Sequence, residues 1–221
     1  AIHFGNNSDG SPYIHLNNYS PNDKRFDSVW NDITKAHKLG IKIVLMMGGS
    51  GSAFTDLFDN FDVFYPLLVN TIKNNNVISG IDLDVEEPAS LDNIKMLIDR
   101  LNTDFGQDFI ISMAPVQSSL QQDYPGMGGF LYKHLYNSPQ GKRINYFNGQ
   151  FYSDYSADAY SQAVSNGYPE DKVVMGMIFG QDFTKCLDTV AQLSNKYDKF
   201  GGVFIWEYFM APPGAPANPG L

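Results

Sequence analysis

Ser79-Gly80-Ile81-Asp82-Leu83-Asp84-Val85-Glu86-Glu87 is the stretch on which the reading of this chain turns. Asp82, Asp84 and Glu86 stand two residues apart, with Ile81, Leu83 and Val85 in register beside them. Strict alternation over this length has the period of a β-strand, whose successive side chains take opposite faces. A helix would scatter the acids around its circumference. On a strand the carboxyls form one column and the aliphatic residues the other face. Three carboxyls in a column repel one another, so at least one holds a proton near neutral pH. That makes the column a candidate for acid–base chemistry. A solvated edge strand is the plain alternative, yet no Lys or Arg stands between Asn76 and Pro88 to partner the acids. A calcium loop would need oxygen ligands on a curling, Gly-containing chain rather than acids on a straight strand.

Outward from this strand, apolar runs and helical periodicities alternate. Extended segments are expected at 1–4, 41–47, 80–86, 109–113, 145–152, 173–178 and 202–208, with a short extended piece at 13–16. Helical spacing marks 26–36, with Gly40 as its stop, then 61–73, 91–101, 157–164 and 183–197. Ser90 is placed to cap the helix that follows the acidic strand. A long polar loop is expected over 117–129, and an irregular tail rich in Pro, Gly and Ala from Pro212. Strands alternating with helices imply βαβ units and a parallel sheet in a single α/β domain spanning 1–221. Seven such strands fall one short of a (β/α)8 TIM-type barrel. A doubly wound open sheet is the other arrangement, but Gly48-Gly49-Ser50-Gly51 lacks the G-x-G-x-x-G spacing and the P-loop lysine.

Composition narrows the function. The chain has 221 residues, 43% of them apolar, and a net charge of −9. That charge argues against nucleic acid and against anionic membrane surfaces as partners. Aromatic residues reach 14%, which suits either a large core or stacking on sugar rings. The one cysteine, Cys186, allows no internal disulfide and reads as a packing residue. His3, His15, His37 and His134 are scattered, so no metal site and no cofactor are expected. No apolar run is long enough to span a membrane, and no signal-peptide pattern is evident. Asn6-Asn7-Ser8 and Asn18-Tyr19-Ser20 would accept glycan in a secreted chain.

Taken with its neighbours, the acidic strand resembles glycoside hydrolase family 18, whose signature is Asp-x-x-Asp-x-Asp-x-Glu; here it reads Ser79-Gly80-Ile81-Asp82-Leu83-Asp84-Val85-Glu86. Met46-Met47-Gly48-Gly49 looks like the family's third-strand segment, and Ser112-Met113-Ala114-Pro115 its fifth-strand end. Gln150-Phe151-Tyr152 resembles its sixth-strand motif, and Trp206 stands where the family keeps an eighth-strand tryptophan. The wording of 82–88, 105–116 and 206–209 is most similar to the fungal endo-β-N-acetylglucosaminidases. Two departures stand out: Met46 replaces a Ser and Ser79 replaces the first Asp, both read as supports of the acidic column. The resemblance further implies a (β/α)8 barrel, with its first strand and closing helix absent from the chain as given.

What the resemblance implies for chemistry is a retaining, substrate-assisted hydrolysis. Glu86 would protonate the departing glycosidic oxygen while the substrate's own acetamide oxygen attacks the anomeric carbon. Asp84 would hold the acetamide N–H, Asp82 would share a proton with Asp84, and Tyr152 would position the acetamide carbonyl. Gly48, Gly49, Met113, Gln150 and Trp206 would contact substrate. The expected bond is the β-1,4 link between the core N-acetylglucosamines of N-glycans, with the loops 50–60 and 117–130, and Tyr124 in the second, shaping selectivity. A chitinase, or a non-catalytic chitinase-like lectin, is the alternative. The expected partner is an N-acetylglucosamine-containing glycan or glycoprotein, met by a monomeric, extracellular protein.

Overall fold

The structure is a computed structural model and describes residues 1–207. The elements follow one another as β1 (Ile2–Asn6), β2 (Pro12–Leu16), α1 (Asp27–Lys38), β3 (Ile43–Gly48), α2 (Ala53–Asp59), α3 (Phe61–Asn74), β4 (Ile78–Asp84) and α4 (Leu91–Phe105). Then come β5 (Ile110–Met113), α5 (Gln117–Gln121), α6 (Tyr132–Tyr136), β6 (Tyr146–Gln150), α7 (Ala157–Ser165), β7 (Val173–Ile178), α8 (Phe183–Lys196) and β8 (Val203–Trp206). The strands make one sheet in the order β2-β1-β3-β4-β5-β6-β7-β8. Every neighbouring pair is parallel except β1 with β2, which is antiparallel. This is the expected α/β sheet of seven parallel strands, extended at one end by the 13–16 segment. Among the described residues β1 and β8 are not hydrogen bonded to each other.

Local sequence explains the punctuation. The β1–β2 hairpin turns through Asn7–Gly10, where Gly10 donates its N–H to the Asn7 carbonyl at 2.8 Å. Ser90 caps α4 as expected, its hydroxyl accepting from the Asn93 N–H. The apolar stripes of α3 (Phe64, Leu68, Ile72) and α4 (Ile94, Leu97, Ile98, Leu101) belong to one buried cluster with the strand residues Met47, Ile81, Leu83, Ile111 and Met113. Burying such side chains contributes about 1.5–3 kcal/mol each before entropy is charged against it. Beyond the register shift that pairs Ile43 with Ile78 and Val44 with Gly80, odd-numbered residues of β3, β4 and β5 therefore pack against the helices, and the even-numbered ones face the other side of the sheet.

Two segments differ from expectation. Residues 50–60 are not a free loop: Ala53–Asp59 is helix α2, with Ala53, Phe54 and Leu57 fully buried. Ala53, Phe54, Leu57 and Phe58 have the i, i+1, i+4, i+5 spacing of a buried helical stripe, which the Gly- and Ser-rich run before it obscures. The 117–129 stretch begins with helix α5, anchored by buried Leu120. The acidic strand ends at Asp84, so Glu86 lies just beyond it. Residue 208, assigned to the final strand, and the tail from Pro212 lie outside the described residues.

Candidate active site

Asp82 and Asp84 point from β4 to the same side of the sheet, and Glu86 continues the column past the strand end. β3 runs parallel beside them, with Met46 opposite Asp82 and Gly48 opposite Asp84. On the other flank β5 sets Ser112 opposite Asp82. Ser112 donates its hydroxyl to Asp82 Oδ1 at 2.5 Å, and Asn148 of β6 donates Nδ2–H to the same oxygen at 3.0 Å. Gln150, two residues further along β6, directs Nε2–H toward Asp84 Oδ1 at 3.3 Å and Glu86 Oε1 at 3.4 Å, while bonding the Ala114 carbonyl at 2.9 Å. Three adjacent strands thus converge on one column of acids.

The electrostatics follow from that crowding. Burial pushes the Asp82 carboxyl up from its ordinary range, although the Ser112 and Asn148 hydrogen bonds pull the other way. Burial first, and then the charges of Glu86 and Asp82, push Asp84 up to about 8. Both shifts have the direction required for a column that keeps protons at neutral pH. Tyr152 is held well above the usual phenol range by burial, with Asp84 and Glu86 adding to it. Its hydroxyl therefore remains a hydrogen-bond donor beside the acids.

The column opens into a cavity of about 500 Å³. Gly48, Gly49, Asp82, Asp84, Glu86, Gln150, Tyr152 and Trp206, all candidates from the sequence, line it together. Trp206 is 43% exposed and stands in the cavity wall rather than in the core. Met113 is a correction: it is fully buried in the helix-facing core and does not line the cavity. The reason is strand parity, since Ser112 points to Asp82 and its neighbour must point away. Ser79 is a second correction. Its side chain is on the opposite parity from the acids, reaches only the Val77 carbonyl at 3.4 Å, and so does not support the column. Tyr124 is 58% exposed and takes no part in the lining. Met46 does line the cavity, presenting a thioether beside Asp82.

Sequence reasoning missed Ala1, His3, Ser50, Ala114, Asn148 and Phe204, which complete the wall, and the role of Ser112 beneath it. A signal was present for Asn148: it shares the period of two with Gln150 and Tyr152. Nothing local distinguished His3 or Phe204, whose place depends on the ends of the sheet. The cavity wall combines the apolar rings of Phe204 and Trp206 with convergent carboxyl, amide and phenol groups, the mix expected where a polar ring-shaped ligand is oriented. Among the described residues there is no cluster of three or more His, Cys, Asp or Glu able to hold a metal ion.

No family model matches the chain. It is 34% identical to the solved structure of a fungal endo-β-N-acetylglucosaminidase from glycosyl hydrolase family 18, covering 99% of this chain and 81% of that one, with a TM-score of 0.87. It is 30% identical to a solved chitinase from Aspergillus fumigatus, over 99% of this chain and 82% of that one, also with a TM-score of 0.87. Among curated proteins, chitinase 2 of Rhizopus oligosporus is 26% identical over 91% of this chain. The chain spans 41% of that relative's length.

Proposed function

The chain belongs to glycoside hydrolase family 18, and from that membership we propose that it hydrolyses β-1,4 bonds of N-acetylglucosamine, cutting between the two core residues of N-glycans. The observation that carries the reading is the convergence of Asp82, Asp84, Glu86, Gln150, Tyr152 and Trp206 on one cavity. Glu86, at the open end of the column, donates a proton to the leaving oxygen. The substrate's acetamide oxygen forms the bond to the anomeric carbon as the glycosidic bond breaks, giving an oxazolinium ion; water then opens it by bonding to the anomeric carbon as the acetamide oxygen leaves, and Glu86 takes the water's proton, which restores the acid. Asp84 orients the acetamide N–H and balances the developing positive charge. Asp82, held by Ser112 and Asn148, takes a share of the column's proton so that the acids are never all ionised. Tyr152 holds the acetamide carbonyl, and Trp206 offers the apolar face of the sugar a ring to rest on.

Chitin hydrolysis is the second reading, favoured by the equal TM-score of the Aspergillus chitinase. Both substrates present the same sugar to Glu86, so the chemistry alone does not separate them. Parallel incubation with a high-mannose glycoprotein and with chitin oligomers, read by mass spectrometry, does. The expected product is a glycoprotein retaining a single N-acetylglucosamine. Rapid cleavage of the oligomers with the glycoprotein untouched would overturn the N-glycan reading in favour of the chitinase. An extracellular, monomeric protein is part of the same proposal. Asn6 and Asn18 of the two sequons are both exposed, and among the described residues no helix is long and apolar enough to cross a membrane.

A further inference from the structure

Glu87 is a buried carboxylate that the proposed reaction leaves unused. It points away from the cavity, to the start of α2. Its Oε1 accepts the Phe54 N–H at 2.7 Å, and its Oε2 accepts the Thr55 N–H at 3.2 Å and the Thr55 hydroxyl at 2.6 Å. Those amides are among the first of the helix, which have no carbonyl partner within it. A carboxyl group is well matched to them, because its two oxygens offer several acceptor sites to three converging donors.

The other side of Glu86 is also tied down. The Gly49 N–H bonds the Asp84 carbonyl at 2.8 Å, and Gly48 lies so close to that carbonyl that a Cβ would collide with it. The backbone either side of Glu86 is thus fastened to one unit, the turn from β3 into α2. Glu86 itself has a weaker tether: the hydrogen bond found for its carboxyl among the described residues is the 3.4 Å approach of Gln150. Where that carboxyl can reach is therefore set by the backbone that carries it.

We propose that Glu87 is a positioning residue, clamping the end of β4 to the start of α2 and thereby aiming the Glu86 carboxyl at the glycosidic oxygen. This rests on Glu86 being the proton donor. It also separates two adjacent glutamates by role: one faces the cavity and gives a proton, its neighbour faces the core and keeps the geometry. Displacement of a reacting group by about one ångström costs on the order of a hundredfold.

A defect in proton donation depends on the leaving group, and general damage does not. A sugar needs a proton to depart, whereas a dinitrophenolate does not. Glu87→Ala is expected to lower kcat/KM on an N-acetylglucosamine oligosaccharide by about a hundredfold, while kcat/KM on a dinitrophenyl chitobioside, which reports the departure of the leaving group alone, stays near that of the unmodified protein. Glu87→Gln keeps the volume and one acceptor and should fall between. Thr55→Val, which removes one of the three donors, should show a smaller loss of the same leaving-group pattern. Equal slowing of both substrates, or of neither, would overturn the inference. Hydrogen exchange gives a reading without substrate: Glu87→Gln should accelerate exchange at the Phe54 and Thr55 amides, and unchanged exchange there refutes the clamp. A parent protein that cleaves neither substrate, nor the high-mannose glycoprotein, sinks the proposed hydrolase, and the exchange result then judges the clamp alone.

Discussion

At the scale of single residues, the site depends on which side of a strand each group occupies. Glu86→Gln keeps the shape of the side chain but removes the proton it donates. Turnover is expected to drop about a hundred- to ten-thousand-fold, with glycan binding retained, as titration calorimetry on the inactive variant would measure. A variant with near-parental turnover would make Glu86 a structural residue. Parity also explains which site residues were readable. Asp82, Asp84 and Glu86 were legible because acids alternating with aliphatic residues leave no other face for the carboxyls. Met113 was misread because a family-like segment was taken whole, when its even-numbered Ser112 and Ala114 are the residues on the side of the column. Asn148 was overlooked although it shares strand parity with Gln150 and Tyr152, which the family resemblance had supplied. Glu87 was readable as a strand-end acid but not as an anchor, because its partners at Phe54 and Thr55 lie on α2, an element hidden behind glycines and serines.

At the scale of elements, the site rests on the fit between β3 and β4. Gly48 has φ of +99°, and its missing side chain is what lets the β3 turn lie against the Asp84 carbonyl. Gly48→Ala forces both an unfavourable backbone angle and a collision with main chain. The backbone term alone costs about 1–3 kcal/mol, and the collision adds to it by pushing β3 away from β4. Urea unfolding should show a loss of at least that size, whereas Gly10→Ala, at a positive φ but with open space around it, should show the angular cost alone. Equal losses for the two variants would mean that the close approach to Asp84 is unimportant. The alternation of strands and helices was legible from periodicity, as were the Ser90 cap and the parallel order. The short helices α2, α5 and α6 were not: pieces of five to seven residues offer too few turns for a period to be read, and tertiary packing, not propensity, holds them.

At the scale of the whole molecule, the buried column links stability to pH. Asp84 ionises near pH 4 in an unfolded chain and only at about 8 in the folded one. Between those values the folded state holds a proton that the unfolded state has lost, so stability falls as pH rises. Asp82, also raised by burial, acts in the same direction. His15 and the Ala1 amine act against them, since burial holds both below their usual range and the unfolded chain binds their protons more readily. The acids should prevail, because Asp82 and Asp84 are buried while His15 and Ala1 are only partly so. The net charge of −9 adds to the trend, because carboxylates taking up protons relieve self-repulsion as pH falls. Thermal unfolding followed across this range should therefore show Tm rising from alkaline toward mildly acid pH. Asp84→Asn supplies the control. It never ionises, so its Tm should exceed that of the parent at pH values above about 8, and the advantage should shrink steadily as pH falls. A pH-independent difference between the two proteins would mean that Asp84 carries no buried charge, and that the column's proton is held elsewhere.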